Sequence, residues 1–258
     1  MSTTVELFTS PEDVSSFRRP LTPEQADKLP HIHRLLLGYY GEPTHREPWD
    51  PLTQLIYSLL AARTKTPVSH QVMRELERHF PGAGPGHWEP VRDASVSDIE
   101  RAIAIVTFPE TKAPRLKDLL HQITARTGAL SLDFLHRYRT DKIRSWLEQF
   151  EGIGPQVSAA VVNFSTLRRR ALVIDANHLR VVQRLCVVPR ADAATTEERL
   201  MRLVPETWDA ATLDQHHALV KLHAQTLCTF DQPKCEHCPL LKLCPTGQRN
   251  LNELKLVG

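Results

Sequence analysis

Four cysteines fall within a short stretch near one end of the chain: Cys228, Cys235, Cys238 and Cys244, spaced C-x6-C-x2-C-x5-C. Four potential thiolates this close together suit a closed metal site, so this segment must fold as a loop around one centre. Ligand chemistry alone leaves two occupants open, a zinc ion or an iron–sulfur cluster. Disulfides are the competing use of paired cysteines, but they need an oxidising compartment. Met1 to Asp13 carry acidic residues and no apolar stretch of the kind a secretory leader requires. No apolar run of about eighteen residues offers a membrane-crossing helix. A reducing, cytoplasmic setting is therefore expected (nucleoid-associated, if the source is bacterial), with no membrane partner. Cys186 stands outside the motif and is expected to be a buried core thiol.

The remaining pattern is helical. Asp50-Pro51 reads as an N-cap followed by proline at the first helical position, and Leu52, Leu55, Ile56, Leu59 and Leu60 then share one face. Val68, Val72, Leu76 and Phe80 mark a second helix, ended by Pro81-Gly82. Ser97 with Glu100, and later Thr195 with Glu198, read as capping boxes. Leu116, Leu119, Leu120 and Ile123 lie on a helix stopped at Gly128. Thr140 and Asp175 are expected to cap further helices, Pro155 opens another, and Thr212 to Leu227 leads into the cysteines. No strand alternation appears, and Ala171 to Ile174 is too brief to change that. The expected class is all-α. The first nineteen residues are polar, without periodicity, and are expected to form a flexible extension. At 258 residues, 41% hydrophobic and 24% charged, the chain is long enough for one large domain or two small ones. A formal charge of only +2 means that any phosphate-binding surface must come from local clustering.

One internal segment suggests such a surface. In Phe150-Glu151-Gly152-Ile153-Gly154-Pro155-Gln156 a helix ends, two glycines flank an aliphatic residue, and a new helix begins. Glycine permits positive φ and close backbone approach, and the free N–H groups of the new helix favour an anion such as a DNA phosphate. An ordinary helix–helix turn would look the same. Beyond it lies Val173-Ile174-Asp175-Ala176-Asn177-His178-Leu179-Arg180, an apolar stretch running into an aspartate that starts a helix.

The hairpin, this aspartate and the cysteine spacing together resemble the helix-hairpin-helix DNA glycosylase superfamily. The cysteine spacing resembles the C-terminal 4Fe–4S loop of its endonuclease III-like members. Asp214-Gln215-His216-His217 and Leu222-His223 also resemble the family's lead into that loop, and the likeness runs from about Pro30 to Pro245. It implies a two-lobed fold. A six-helix bundle would span 44–167, and an iron–sulfur domain would combine 20–43 with 168–258. It further implies a 4Fe–4S cluster on Cys228, Cys235, Cys238 and Cys244, with a structural and DNA-positioning role, and Lys234 between the first two ligands meeting a phosphate. Gly152, Ile153 and Gly154 would hold the DNA backbone. Asp175 would stabilise the cationic sugar or assist proton transfer as the base departs. The partner would be duplex DNA carrying base damage or abasic sites, bound by a monomer.

Two departures shape the expected activity. Family members that also cut the strand carry a lysine two residues after the second hairpin glycine; here that position is Gln156, and an amide is not an amine nucleophile. A hydrolytic glycosylase is expected, with weak or no Schiff-base lyase activity. The alternatives are a damage-binding module with vestigial catalysis, or a lyase using another amine, for which Lys65 and Lys112 are candidates. Secondly, Leu59-Leu60-Ala61-Ala62-Arg63-Thr64-Lys65-Thr66 puts Arg63 where the family's gap-filling glutamine stands. Arg63 can plug the duplex, or Arg63 and Lys65 can simply contact phosphates at a helix end. Arg168, Arg169 and Arg170 either track phosphates or form a solvated loop. The few residues after Cys244 lead one to expect no further recognition domain, which disfavours adenine opposite oxidised guanine as substrate. Oxidised pyrimidines are favoured by the resemblance; alkylated purines and mismatched thymine stay open.

Overall fold

The computed structural model describes residues 22–44 and 47–257; the expected N-terminal extension lies outside them. Among the described residues there is no strand, as the lack of alternation predicted. Twelve α-helices occur among them: α1 (Pro23–Tyr40), α2 (Pro51–Ala61), α3 (Thr66–His79), α4 (Glu89–Asp93), α5 (Val96–Ala102), α6 (Pro109–Thr127), α7 (Thr140–Leu147), α8 (Pro155–Phe164), α9 (Ala176–Arg184), α10 (Ala193–Met201), α11 (Ala210–Thr226) and α12 (Pro245–Val257). No helix among the described residues is long and apolar enough to cross a membrane.

Local chemistry sets most helix boundaries. The carboxylates of Asp50, Asp175 and Asp209 accept the N–H three residues on, satisfying donors that the first turn leaves unpaired. Gly128 ends α6 at φ 78°, a conformation glycine adopts without a steric penalty. Two expected capping boxes are displaced. Ser95, not Ser97, caps α5 by accepting Asp98 N–H, and Asp192, not Thr195, caps α10 by accepting Thr195 N–H. In both places a second polar residue stands just upstream, and the chain starts the helix at the earlier one. Thr140 is the first helical residue of α7 rather than its cap.

The helices enclose two hydrophobic cores. The first gathers Leu55, Ile56 and Leu60 of α2, Val72 and Leu76 of α3, Trp88, Leu116 and Leu120 of α6, and Val161 and Val162 of α8. The second gathers Leu29, Ile32 and Leu36 of α1, Val181 and Val182 of α9, Leu213, Leu219 and Val220 of α11, and Leu240. Each such side chain contributes about 1.5–3 kcal/mol by leaving water. The segment 171–174 passes between the cores: Ala171 and Val173 face the first, Leu172 and Ile174 the second. That alternation is why it is extended without being part of a sheet. Arg144 of α7 joins the two sides through Glu197 of α10, with Nη2–Oε2 at 2.9 Å. Arg168 does the same through Asp214 of α11, at 3.0 Å.

Candidate active site and thiol centre

Three features converge on one end of the first core, and α6 mounts them all. Between α7 and α8, Gly152 takes φ 82°. A Cβ there would lie 3.4 Å from Leu59 and 3.5 Å from Arg115, so the turn sits against α2 and α6, and the positive φ rather than lack of space is what favours glycine. Ile153 is 4% exposed and belongs to the core. Gly154 caps α8, Pro155 follows it, and Gln156 is exposed in the first turn. Arg115 of α6 donates to Glu151 at 2.9 Å and ties the hairpin to that helix.

The second feature is the 62–65 loop. Arg63 is exposed and held at φ 58°, unusual for a side chain with a Cβ. Lys112 of α6 explains how that conformation is kept. Its amine donates to Leu60 O at 2.7 Å, Ala62 O at 2.7 Å and Thr64 Oγ1 at 3.0 Å, using all three protons. Burial lowers its pKa to about 8. This corrects one expectation: Lys112 is a buried staple for the loop, not an amine facing outward. Lys65 caps α3 by position and is exposed.

The third feature had no counterpart in the sequence reading. Phe108, the N-cap of α6, is half exposed and also left-handed, at φ 59°. Thr107 N–H donates to Thr64 Oγ1 at 3.3 Å, which joins this turn to the Arg63 loop. An aromatic directly before Pro109 was the available signal, but only the fold shows its exposure and its neighbour.

Asp175 caps α9, with Oδ1 accepting His178 N–H at 2.8 Å. Burial opposes its ionisation, but the charge of His217, that backbone hydrogen bond and the charge of Lys221 outweigh it and hold the carboxyl below its ordinary range. His217 is fixed in turn by a 3.0 Å bond from Nδ1 to Val173 O and packs on Phe164. Behind Asp175 the buried rings continue: His178 lies 5.5 Å from His216, and His216 lies 5.5 Å from His33. Burial lowers the pKa of His178 to about 3 and that of His216 well below its usual value.

The four cysteines line one cavity, together with Arg184, His223, Leu240 and Gly247. Among the described residues no three His, Cys, Asp or Glu side chains are disposed to hold a single metal ion. Every sulfur nonetheless has a nitrogen beside it. Arg184 Nη1 reaches Cys228 at 3.3 Å, Asn250 Nδ2 reaches Cys235 at 3.6 Å, and Gly247 N reaches Cys244 at 3.3 Å. His223 Nε2 lies 3.6 Å from Cys238, and its Nδ1 lies 3.0 Å from Tyr40 Oη. Any Cβ on Gly247 would lie 3.2 Å from Leu241 and 3.5 Å from the Cys244 sulfur. Burial disfavours a bare thiolate here, pushing Cys238 up to about 11, so a negative sulfur needs a positive partner or a bound metal. Lys234 is exposed beside the cavity, its N–H bound to Leu227 O. Cys186 corrects another expectation, for it is exposed at φ 50° rather than buried, since the turn after α9 rotates it outward.

The fold is that of the endonuclease III class of helix-hairpin-helix DNA glycosylases. A solved non-covalent endonuclease III–DNA complex superposes with a TM-score of 0.69 over 90% of this chain and 100% of that one, at 18% identity. In sequence the chain is 26% identical over 202 residues to the endonuclease III homolog of Encephalitozoon cuniculi, covering 75% of this chain and 78% of that protein. It is 27% identical over 171 residues to Protein ROS1A of Oryza sativa subsp. japonica, which is 61% of this chain but spans only 9% of the rice protein's length. No family model matches the chain.

Proposed function

We propose that the chain is a base-excision DNA glycosylase that rotates a damaged nucleotide out of duplex DNA and releases its base by hydrolysis. The observation that carries this reading is Asp175: a carboxylate fixed by a 2.8 Å backbone bond and kept ionised, at a helix start in the endonuclease III fold. An ionised, immobile carboxylate stabilises the positive charge that develops on the sugar as the base leaves, and it can take a proton from the attacking water. Gly152 and Gly154, with the free N–H groups of Gln156 and Val157, would receive a backbone phosphate. Arg63 and Phe108, stapled together through Thr64, would enter the stack where the nucleotide has left, one offering hydrogen bonds and the other a flat apolar face. Lys65 and Lys234 would meet phosphates.

The thiol cavity fits a 4Fe–4S cluster on Cys228, Cys235, Cys238 and Cys244. Four sulfurs around one cavity, three of them accepting an N–H and the fourth beside His223 Nε2, match the needs of cluster thiolates better than those of buried thiols. When bound, such a cluster supplies a covalent cross-link between α11, the loop and α12. The chain's own residues then hold Lys234 outward.

Gln156 supplies no amine, so release should occur without a covalent adduct. In a base-release assay, Asp175→Asn should lower the rate by about 10²–10⁴-fold while leaving abasic-DNA binding intact; retained activity overturns the mechanism. A second reading, lyase chemistry through another amine, is favoured by Lys221, whose charge acts on Asp175. Borohydride trapping on an abasic duplex separates the two: an adduct lost in Lys221→Gln supports the second, and no adduct supports the first.

A further inference from the structure

Away from the residues assigned so far, an open cleft of about 830 Å³ lies between the two cores. One wall runs from His136 to Arg144, the floor is Arg169 to Ala171, and the opposite wall is Glu197 and Met201 of α10. Neither Asp175, Gln156 nor a hairpin glycine lines it. We propose that this cleft is a second nucleic-acid site, which takes a single strand by its phosphodiester backbone and stacks a base on Tyr138.

Charge is the first reason. Arg137, Arg139, Arg144, Arg169 and Arg170 line the cleft against only two carboxylates, Asp141 and Glu197. Both carboxylates are engaged: Asp141 pairs with Arg139 at 3.3 Å and Glu197 with Arg144. Three guanidinium groups are therefore left to attract an anion. Two of them are already placed: Arg169 Nη2 donates to His136 O at 3.1 Å, and Arg170 Nη2 donates to Pro205 O at 2.9 Å. Each keeps further N–H donors for a ligand, in the planar fork that matches phosphate. The third arginine of this run behaves differently, since Arg168 turns inward to Asp214.

Shape and the aromatic ring give the class of ligand. Tyr138 is 50% exposed, and Phe134 meets it edge-on with centroids 6.1 Å apart. Trp146 in turn braces Phe134 at 5.1 Å. The ring is thus propped outward among arginines, the pairing of basic groove and stacking platform that binds unpaired strands without reading sequence. A duplex carries its phosphates on a convex surface and meets only the rim of a concave cleft; one strand can enter it. The segment of DNA next to the lesion, where it is unpaired, is such a strand, and the site adds to the glycosylase reading without depending on it.

Fluorescence anisotropy of the whole protein tests this with labelled oligo-dT, a blunt lesion duplex and the same duplex bearing a single-stranded tail. The variants are Tyr138→Ala and the combination Arg137→Gln, Arg169→Gln, Arg170→Gln. The expected result is tighter binding of the tailed duplex than of the blunt one. The triple variant should lose at least about tenfold in oligo-dT affinity, with its log–log salt slope flatter by about 2. Tyr138→Ala should lose about tenfold. Base release from the blunt duplex should be unchanged in both, which separates failure of the cleft from failure of the glycosylase reading. Unchanged oligo-dT binding overturns the proposal. So does an equal loss on blunt duplex, which would make the cleft a duplex surface, or full competition by inorganic phosphate, which would make it a small-anion site. Should the triple variant melt lower, Arg137→Gln and Tyr138→Ala, which alter exposed side chains, carry the test.

Discussion

The two cores solve the same packing problem with different materials. The first is aliphatic and aromatic, and its buried polar groups are bonded where they carry weight: Trp88 donates to Thr53 at 2.8 Å, and Lys112 to three oxygens. The second buries His33, His178, His216, His217 and His223 and wraps four cysteines. Among the described residues neither ring nitrogen of His216 meets a hydrogen-bond partner. Burying polar atoms unpaired costs about 1–3 kcal/mol each. The first core is thus built to be stable and to present a rigid end. The second is polarised around Asp175 and the thiol cavity, and it gives up stability to hold them.

The sharpest way to break this contrast is to remove the cross-link proposed at the thiol cavity. Cys238→Ala should abolish the visible absorption expected of a cluster and weaken the second core by several kcal/mol. Hydrogen exchange should then accelerate in α9 and α11 while α2 and α6 stay protected. Equal loss in both cores would mean that they fold as one unit.

Acid should act on the same side. His178 has a folded pKa of about 3 and an unfolded value near 6.5, and His216 is depressed likewise by burial. Above about pH 6.5 both states are neutral and nothing changes. As pH falls from there towards 3, the unfolded chain takes up protons that the folded chain refuses, so stability is lost at up to about 1.4 kcal/mol per pH unit for each histidine. Asp175, depressed in the fold, adds a loss of the same sign as pH falls through the acid range. Denaturant titrations followed by exchange should show α9 and α11 failing first; a pH-independent midpoint over this window contradicts the account.

Smaller effects belong to the first core. Lys112→Met keeps the stem but leaves Leu60 O, Ala62 O and Thr64 Oγ1 without their shared donor, at a cost of about 2 kcal/mol. It should also weaken abasic-DNA binding, because the Arg63 loop is no longer held. A variant that melts lower but binds normally would separate stability from positioning. The smallest effect expected is a gain: Arg63→Gly relieves a left-handed backbone and should stabilise by about 1 kcal/mol, while abasic-DNA affinity falls. A thermal melt beside a binding titration checks both signs.

Much of this was legible beforehand. The Asp50 and Asp175 caps follow from residue type and periodicity alone, because a cap is a contact over three residues. The hairpin glycines and the cysteine spacing were equally plain. Where two cap candidates stood close together, as at Ser95 and Ser97, local pattern could not rank them, and the burial of Ile99 and Ala102 settled the register. Cys186 was misjudged because a thiol's exposure depends on a turn rather than on its neighbours in sequence.

What the sequence determined by itself was an all-α chain with a closed thiol loop, a glycine hairpin and a helix-starting aspartate, since these rest on spacing and short-range hydrogen bonds. Only the tertiary structure decided that Lys112 is consumed in holding Arg63, and that Phe108 stands beside it. The same is true of the imidazoles gathered behind Asp175 and of the arginines at 137 and 169–170 facing one cleft. Each of these joins residues far apart along the chain, and the packing that brings them together is a property of the whole fold, which no local pattern records.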